Sequence, residues 1–257
     1  MKTWKGQFDM KTWMWKMWAV AVLSAMTVAA QAALLYDNTT TELVNPTTGA
    51  TSVLIFPNNQ EIGDQIFLAN YMTAPYLSGF SFEYYSPNAA FSGTVTADVR
   101  FYLNNGPVFN GFSSPGTLFY DTGQFGIQTP QSAVGSDAAV LSFSSADFLG
   151  GTVPLNPSMQ MPSTLTVSVE FQGLGGSDQV GLPNFGPPTV GYNYGDYWFN
   201  NAGTWELLTI PDNITPYDNK VKFAMQLVGV PEPTTFATAA LCLGTVLLAG
   251  FARRRRQ

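Results

Sequence analysis

Through the middle of the chain, apolar and polar residues alternate with a period of two. From Thr94 to Leu103, Val95, Ala97, Val99, Phe101 and Leu103 interleave with Thr94, Thr96, Asp98, Arg100 and Tyr102. That spacing fits an extended strand with one apolar face and does not fit a helix. Leu165, Val167, Val169 and Phe171 repeat it against Thr164, Thr166, Ser168 and Glu170, and Val221, Phe223, Met225 and Leu227 repeat it near the end of the body. Between Tyr76 and Tyr84, Phe80, Phe82 and Tyr84 share one face and Gly79, Ser81 and Glu83 the other, which predicts one buried and one wet side.

Further strands are predicted at Ser52–Pro57 and Gln65–Tyr71, after a linker rich in Thr and Asn. Shorter ones are expected at Thr117–Asp121, Ala138–Phe143, Asp196–Asn200 and Thr204–Leu208. Turn residues separate them at Asn104–Pro107, Ser114–Gly116 and Gly173–Gly176. No helical stretch is predicted within residues 33–230. The expected fold is all-β, a two-sheet antiparallel β-sandwich of jelly-roll type.

Both ends depart from this alternation. Lys2, Lys5, Lys11 and Lys16 precede an apolar stretch from Met17 to Ala30, and Ala30-Gln31-Ala32 supplies the small residues of a signal-peptidase site, with Ala30 and Ala32 flanking Gln31. Residues 1–32 therefore read as a secretory signal peptide. Met10-Lys11-Thr12-Trp13 repeats Met1-Lys2-Thr3-Trp4, so Met10 is an alternative start.

At the other end, residues 231–257 contain three parts. Pro231-Glu232-Pro233 is held extended by two residues that fix φ and lack an N–H. Phe236 to Ala252 carries no charge and reaches ~26 Å as a helix, so a membrane span over 234–252 is predicted. Arg253, Arg254, Arg255 and Arg256 then form a basic cluster that resists translocation. The body, residues 33–230, is thereby placed outside. Cys242 reads as a small apolar residue of the span.

Charge sharpens the division. Eight of the eleven basic residues lie in the two ends, and the body keeps Arg100, Lys220 and Lys222 against fifteen carboxylates, a formal charge of −12. Such a surface repels nucleic acid and anionic lipid and leaves cations and neutral polymers as partners. The chain has no histidine and the body no cysteine. A Ser-His-Asp triad, a Cys-His pair and a His/Cys zinc site are excluded.

The ordered tail of Pro231, Glu232 and Pro233, apolar run and arginine cluster resembles the PEP-CTERM sorting signal of Gram-negative bacteria. The resemblance implies an exosortase, a membrane-embedded cysteine transpeptidase, as processing partner. It also implies anchoring in the inner membrane until processing, followed by a surface or extracellular location. Gly93–Asn110 and Pro115–Gly123 are similar, more loosely, to extracellular β-sandwich modules found ahead of such tails, which implies a fold rather than an activity. Similar tails occur on some ice-binding proteins, but the body has no repeated Thr-x-Thr ladder.

The richest candidate chemistry is aromatic. Tyr192, Tyr194, Tyr197, Trp198 and Trp205 stand near Asn193, Asp196 and Asn200, and flat rings beside hydrogen-bonding groups suit a neutral glycan. The candidate glycan-binding set is Tyr192, Tyr194, Asp196, Tyr197 and Trp198; the competing reading buries Trp198 and Trp205 in the sandwich core. Asp212, Asn213, Asp218 and Asn219, or Asp178 with neighbouring carbonyls, carry the oxygen ligands that calcium takes, without the twelve-residue loop pattern; solvated loops are the default and no cofactor is assigned. A glycoside hydrolase would need two facing carboxylates. No motif picks out a pair, and Glu83 and Glu170 fall on polar strand faces where solvation suffices. Asn38 and Asn213 begin sequons that a bacterial tail makes doubtful as modification sites. The expected protein is a non-enzymatic adhesive or structural module in or on an extracellular polysaccharide matrix, with a polysaccharide or a surface protein as partner. The alternatives are a secreted glycan-degrading hydrolase and, more weakly, an ice-binding protein.

Overall fold

The computed structural model describes residues 32–44, 49–130, 138–208 and 222–231. Alternation becomes strand through most of Tyr76–Tyr84, Thr94–Leu103 and Thr164–Phe171, and from Met225 in the last stretch. β1 is Ala33–Asp37, β2 Val53–Ile55, β3 Gln60–Phe67, β4 Tyr76–Tyr85 and β5 Thr96–Leu103. β6 (Val108–Phe109) and β7 (Phe112–Ser113) form a small hairpin, followed by β8 (Leu118–Asp121), β9 (Phe125–Gly126) and β10 (Ala138–Ser144). A 3₁₀ turn at Asp147–Leu149 precedes β11 (Thr164–Gln172), β12 (Gly181–Pro183), β13 (Tyr192–Asn201), β14 (Thr204–Leu208) and β15 (Met225–Val230). The predicted signal peptide up to Gln31 and the span at 234–252 lie outside the described residues. Among the described residues no helix is long and apolar enough to cross a membrane.

The strands pair antiparallel in two large sheets. One runs β1-β15-β4-β12-β2, with β10 also on β4, and the other runs β14-β13-β3-β11-β5-β8, with β9 also on β5. Their apolar faces share one core. Phe80 of β4 lies 5.0 Å from Phe101 of β5 and 6.1 Å from Tyr120 of β8. Phe56, just after β2, meets Phe171 of β11 edge-on at 5.2 Å. These rings prefer edge-to-face geometry because the positive edge of one meets the negative face of the next. Val95, Ala97, Val99 and Phe101 are buried as the alternation requires, and so are Leu165, Val167, Val169, Phe171, Phe223, Met225 and Leu227; Val221 lies outside the described residues.

Three predicted boundaries are corrected. β1 is a true strand, paired with β15 from Ala33↔Gly229 to Asp37↔Gln226, where a polar linker was expected. β3 begins at Gln60 and ends at Phe67 rather than running from Gln65 to Tyr71. Glu61, Gly63 and Asp64 disguise it, because each is unfavourable in an isolated strand and acceptable only beside particular neighbours. β13 is ten residues long, twice the predicted Asp196–Asn200.

The β6–β7 hairpin turns on Asn110 and Gly111, both at positive φ, 49° and 88°. This is the two-residue turn whose twist matches the flanking strands, and Asn-Gly is its strongest sequence signal. Gly111→Ala is expected to cost ~1 kcal/mol by forcing a Cβ into the left-handed region, read as a lower midpoint in urea denaturation.

Candidate functional site

The polar face of the second sheet is not wet. Register places Glu61, Glu170 and Asp98 side by side across β3, β11 and β5. Gly63, Ser168, Arg100 and Asp121 form the next row, because Ser168 faces both Gly63 and Arg100, and Arg100 faces Asp121. Arg100 binds all four carboxylates. Its Nη1 donates to Glu170 Oε2 at 2.8 Å and pairs with Glu61 Oε2 at 3.2 Å; its Nε donates to Asp121 Oδ2 at 3.2 Å, and its Nη2 donates to Asp98. Burial alone would lower the arginine's pKa, but Glu61, Asp98 and Glu170 outweigh it and hold the charge in place. Asp98 is pushed up to about 6, chiefly by burial, with Arg100 pulling the other way.

Around this hub the remaining lone pairs are taken. Glu61 accepts from Tyr102 Oη at 3.0 Å, from Ser168 Oγ and from Asn200 Nδ2 at 2.9 Å. Tyr102 lies against Trp205 of β14, ring centroids 5.5 Å apart, so two rings meet over the carboxylates. A Cβ on Gly63 would sit 2.7 Å from Thr166 Cγ2, so a side chain there would force Thr166 to move. The expectation that Glu170 is simply solvated is thus corrected: it is ion-paired with Arg100. The engaged carboxylates do not form the free, facing pair that glycoside hydrolysis uses.

The aromatic candidates divide. Tyr192 and Tyr194 are 54% and 39% exposed, with rings 5.4 Å apart and nearly perpendicular. Phe67 backs both, at 5.8 and 4.9 Å, and Phe112 from the β6–β7 hairpin meets Tyr194 at 4.6 Å. Trp198 is fully buried. It lies opposite Gly63 and under Phe109 of the hairpin at 6.0 Å, outside the main core, so it offers no face to a ligand. Neither reading made from sequence, sugar platform or sandwich core, anticipated this lid. Asp196 and Tyr197 are half-buried, with Tyr197 packed against the core. An irregularity in the β13–β3 register between Asn193 and Tyr197 separates the exposed pair from the buried remainder.

The suggested oxygen clusters fare differently. Asp178 accepts from the N–H groups of Ser92, Gly93 and Gly175 and from Ser92 Oγ, at 2.9 to 3.0 Å, a set of donors rather than cation ligands. Those bonds hold its carboxyl down to about 2. Asp212, Asn213, Asp218 and Asn219 lie outside the described residues. Asn38 is buried with its amide on Phe223 O, which closes it to modification in the fold. Among the described residues no group of three or more His, Cys, Asp or Glu could hold a metal ion.

The body's two ends adjoin. Ala33 opens β1 opposite Gly229, and β15 runs between β1 and β4, ending with Val230 opposite Tyr76. Pro231 follows immediately, and Ala32 immediately precedes β1. Ala30, Glu232, Pro233 and Arg253 to Arg256 lie outside the described residues. Gly229, Val230 and Pro231 therefore lead out of a strand that has partners on both sides into the proline-flanked glutamate. The chain carries a PEP-CTERM sorting motif. The family model described as the PEP-CTERM protein-sorting motif matches residues 229–256, so the match begins inside β15. The motif implies processing by an exosortase. No curated protein and no solved structure matches the chain.

Proposed function

We propose that this chain is an exported protein sorted by an exosortase through its PEP-CTERM tail. On this reading its β-rich body resides at the cell surface or in an extracellular polysaccharide matrix as a non-catalytic adhesive or structural module. The single observation that carries the reading is the motif at residues 229–256, which begins at the last two residues of a strand paired on both sides. Cleavage beyond Val230 would leave β15 and its pairing with β1 and β4 whole. Ala32 directly before β1 is consistent with signal-peptide cleavage that leaves the strand intact. The segment 234–252 then anchors the precursor in the inner membrane until processing. The strand orders β1-β15-β4-β10 and β3-β11-β5-β8 support a jelly roll, with the β13–β14 hairpin added at one edge.

Deleting Pro231–Gln257 leaves every strand of the body whole. The truncated chain is expected to lose envelope association and appear in the medium or periplasm, with unchanged thermal stability of the body. Cell fractionation checks this, and unchanged envelope association of a folded truncation would sink the sorting reading.

For the body, Tyr192 and Tyr194 are the surface we assign to glycan contact, because they are the members of the aromatic set with exposed rings. Replacing both with Ala removes their ring contacts with Phe67 and Phe112, is expected to cost ~1–3 kcal/mol while leaving the body folded, and should weaken retention on the producing cells' own exopolysaccharide. Unchanged retention would remove the pair from the function.

A further inference from the structure

Where the two sheets part at their edges, a cleft of about 330 Å³ opens to solvent between β8 and β9 on one side and β10 with its 3₁₀ turn on the other. Tyr120, Thr122, Phe125, Phe143 and Asp147 line it, and it lies apart from the Tyr192–Tyr194 pair. We propose that this cleft binds a single unit of a neutral saccharide.

The walls and the floor supply complementary halves of sugar recognition. Phe125 and Phe143, from opposite sheets, lie 5.3 Å apart at 67° and are both half-buried, so they present ring surface on which the C–H face of a pyranose can rest. The ring of Tyr120 is locked by Phe101 at 5.2 Å and Phe148 at 5.5 Å. Its hydroxyl is buried and has no hydrogen-bond partner among the described residues. Burial, Asp147, Asp121 and Asp98 all raise the phenol's pKa, so the oxygen keeps its proton and has a donor to place. A buried donor left unpaired is unfavourable, because it has given up its water partner without replacing it. A ligand hydroxyl supplies the missing acceptor.

Asp147 is fixed at the mouth, its Oδ2 accepting from the N–H and Oγ of Ser144 at 2.7 and 2.8 Å. These bonds hold its carboxyl below the usual range, so it offers a charged acceptor to a second sugar hydroxyl. Charge selects among ligands. The lining contains a carboxylate and no lysine or arginine, with Asp98 and Asp121 also close enough to act on the Tyr120 phenol, which disfavours uronate, sulfate and phosphate. An organic ammonium would answer Asp147 and the rings but could only donate, leaving the Tyr120 proton unpaired. A neutral hydroxyl accepts and donates, and so fits both groups.

The test uses the full-length chain in a detergent without a sugar headgroup, titrated by NMR with maltose, cellobiose and lactose, and with glucuronate and tetramethylammonium as controls. Saturable binding of at least one neutral disaccharide is expected, with a Kd of about 1 mM for so few contacts. Tyr120→Phe and Asp147→Asn should each weaken it about tenfold without loss of fold, since each deletes or neutralises a polar group and preserves its shape. Phe125→Ala should abolish it, and the Tyr192→Ala/Tyr194→Ala chain should retain it. No saturable binding, binding of tetramethylammonium alone, or sugar binding unaffected by Tyr120→Phe and Asp147→Asn overturns the proposal. Sugar binding lost only in the Tyr192→Ala/Tyr194→Ala chain would overturn the cleft and leave the exposed pair standing.

Discussion

Arg100→Met is expected to destabilise the body by ~3–5 kcal/mol, as removal of one partner from a buried ion pair does. The long side chain of methionine keeps much of the packing, so the loss reports charge. Arg100 is the sole cation contacting Glu61, Asp98, Asp121 and Glu170 among the described residues, and three of these carboxylates stand side by side on adjacent strands. Like charges directly opposite across a sheet repel. Their side chains are between 4% and 13% exposed, so water screens them little. Urea denaturation of the wild type and variant checks the magnitude. Adding Glu170→Gln and Asp98→Asn to Arg100→Met should recover part of the loss, because neutral amides need no counter-charge. A loss under ~1 kcal/mol for Arg100→Met would show that the hub is an ordinary surface pair.

The second large effect concerns a carboxyl in the core. Asp64 of β3 is fully buried, and Asn193 Nδ2 donates to its Oδ2 at 2.8 Å. Burial pushes its pKa up to about 8, while Asn193, the N–H of Phe223 and the charge of Lys222 pull it down and Asp196 adds to the rise. The folded protein therefore holds a proton here that the unfolded chain, titrating near 3.8, has released. Between pH 4 and 8 the native state binds more protons, so stability must fall as pH rises through that window. Each pKa unit corresponds to ~1.4 kcal/mol, and relaxation around the new charge returns part of it, so a fall of ~3 kcal/mol is expected.

Asp98, raised to about 6, acts in the same direction over the lower half of the range. Asp178, held down to about 2, acts oppositely, its contribution being lost only in stronger acid. The optimum should lie on the acid side of neutrality. Asp64→Asn, which mimics the protonated carboxyl, should remove most of the slope and leave the variant more stable than wild type at pH 8.5. Thermal midpoints from pH 4 to 9 check this. Parallel pH profiles for the two chains would refute the assignment.

How much of this was legible depends on which interaction fixes each residue. Tyr76–Tyr85, Thr96–Leu103 and Thr164–Gln172 are strands because their own alternation buries one face, and period alone located them. Gln60–Asp64 was missed because Glu61 and Asp64 are acceptable in a strand only when Arg100, Tyr102, Ser168, Asn193 and Asn200 stand beside them. Those partners come from other strands. The same holds for Trp198, whose burial depends on a hairpin about ninety residues earlier in sequence.

The sequence by itself determined the sorting tail, the acidic body without histidine or cysteine, and the all-β class. Each of these depends on local order or on composition, which no fold can change. The tertiary structure decided that the polar face of one sheet is a closed ion network, that Trp198 is covered, and that Tyr192 and Tyr194 remain exposed. It also brought Tyr120, Phe125, Phe143 and Asp147 around one cleft from the edges of two sheets. Alternation says which side of a strand faces the core, but only the pairing register and the packing of the sheets say which strand lies next to it.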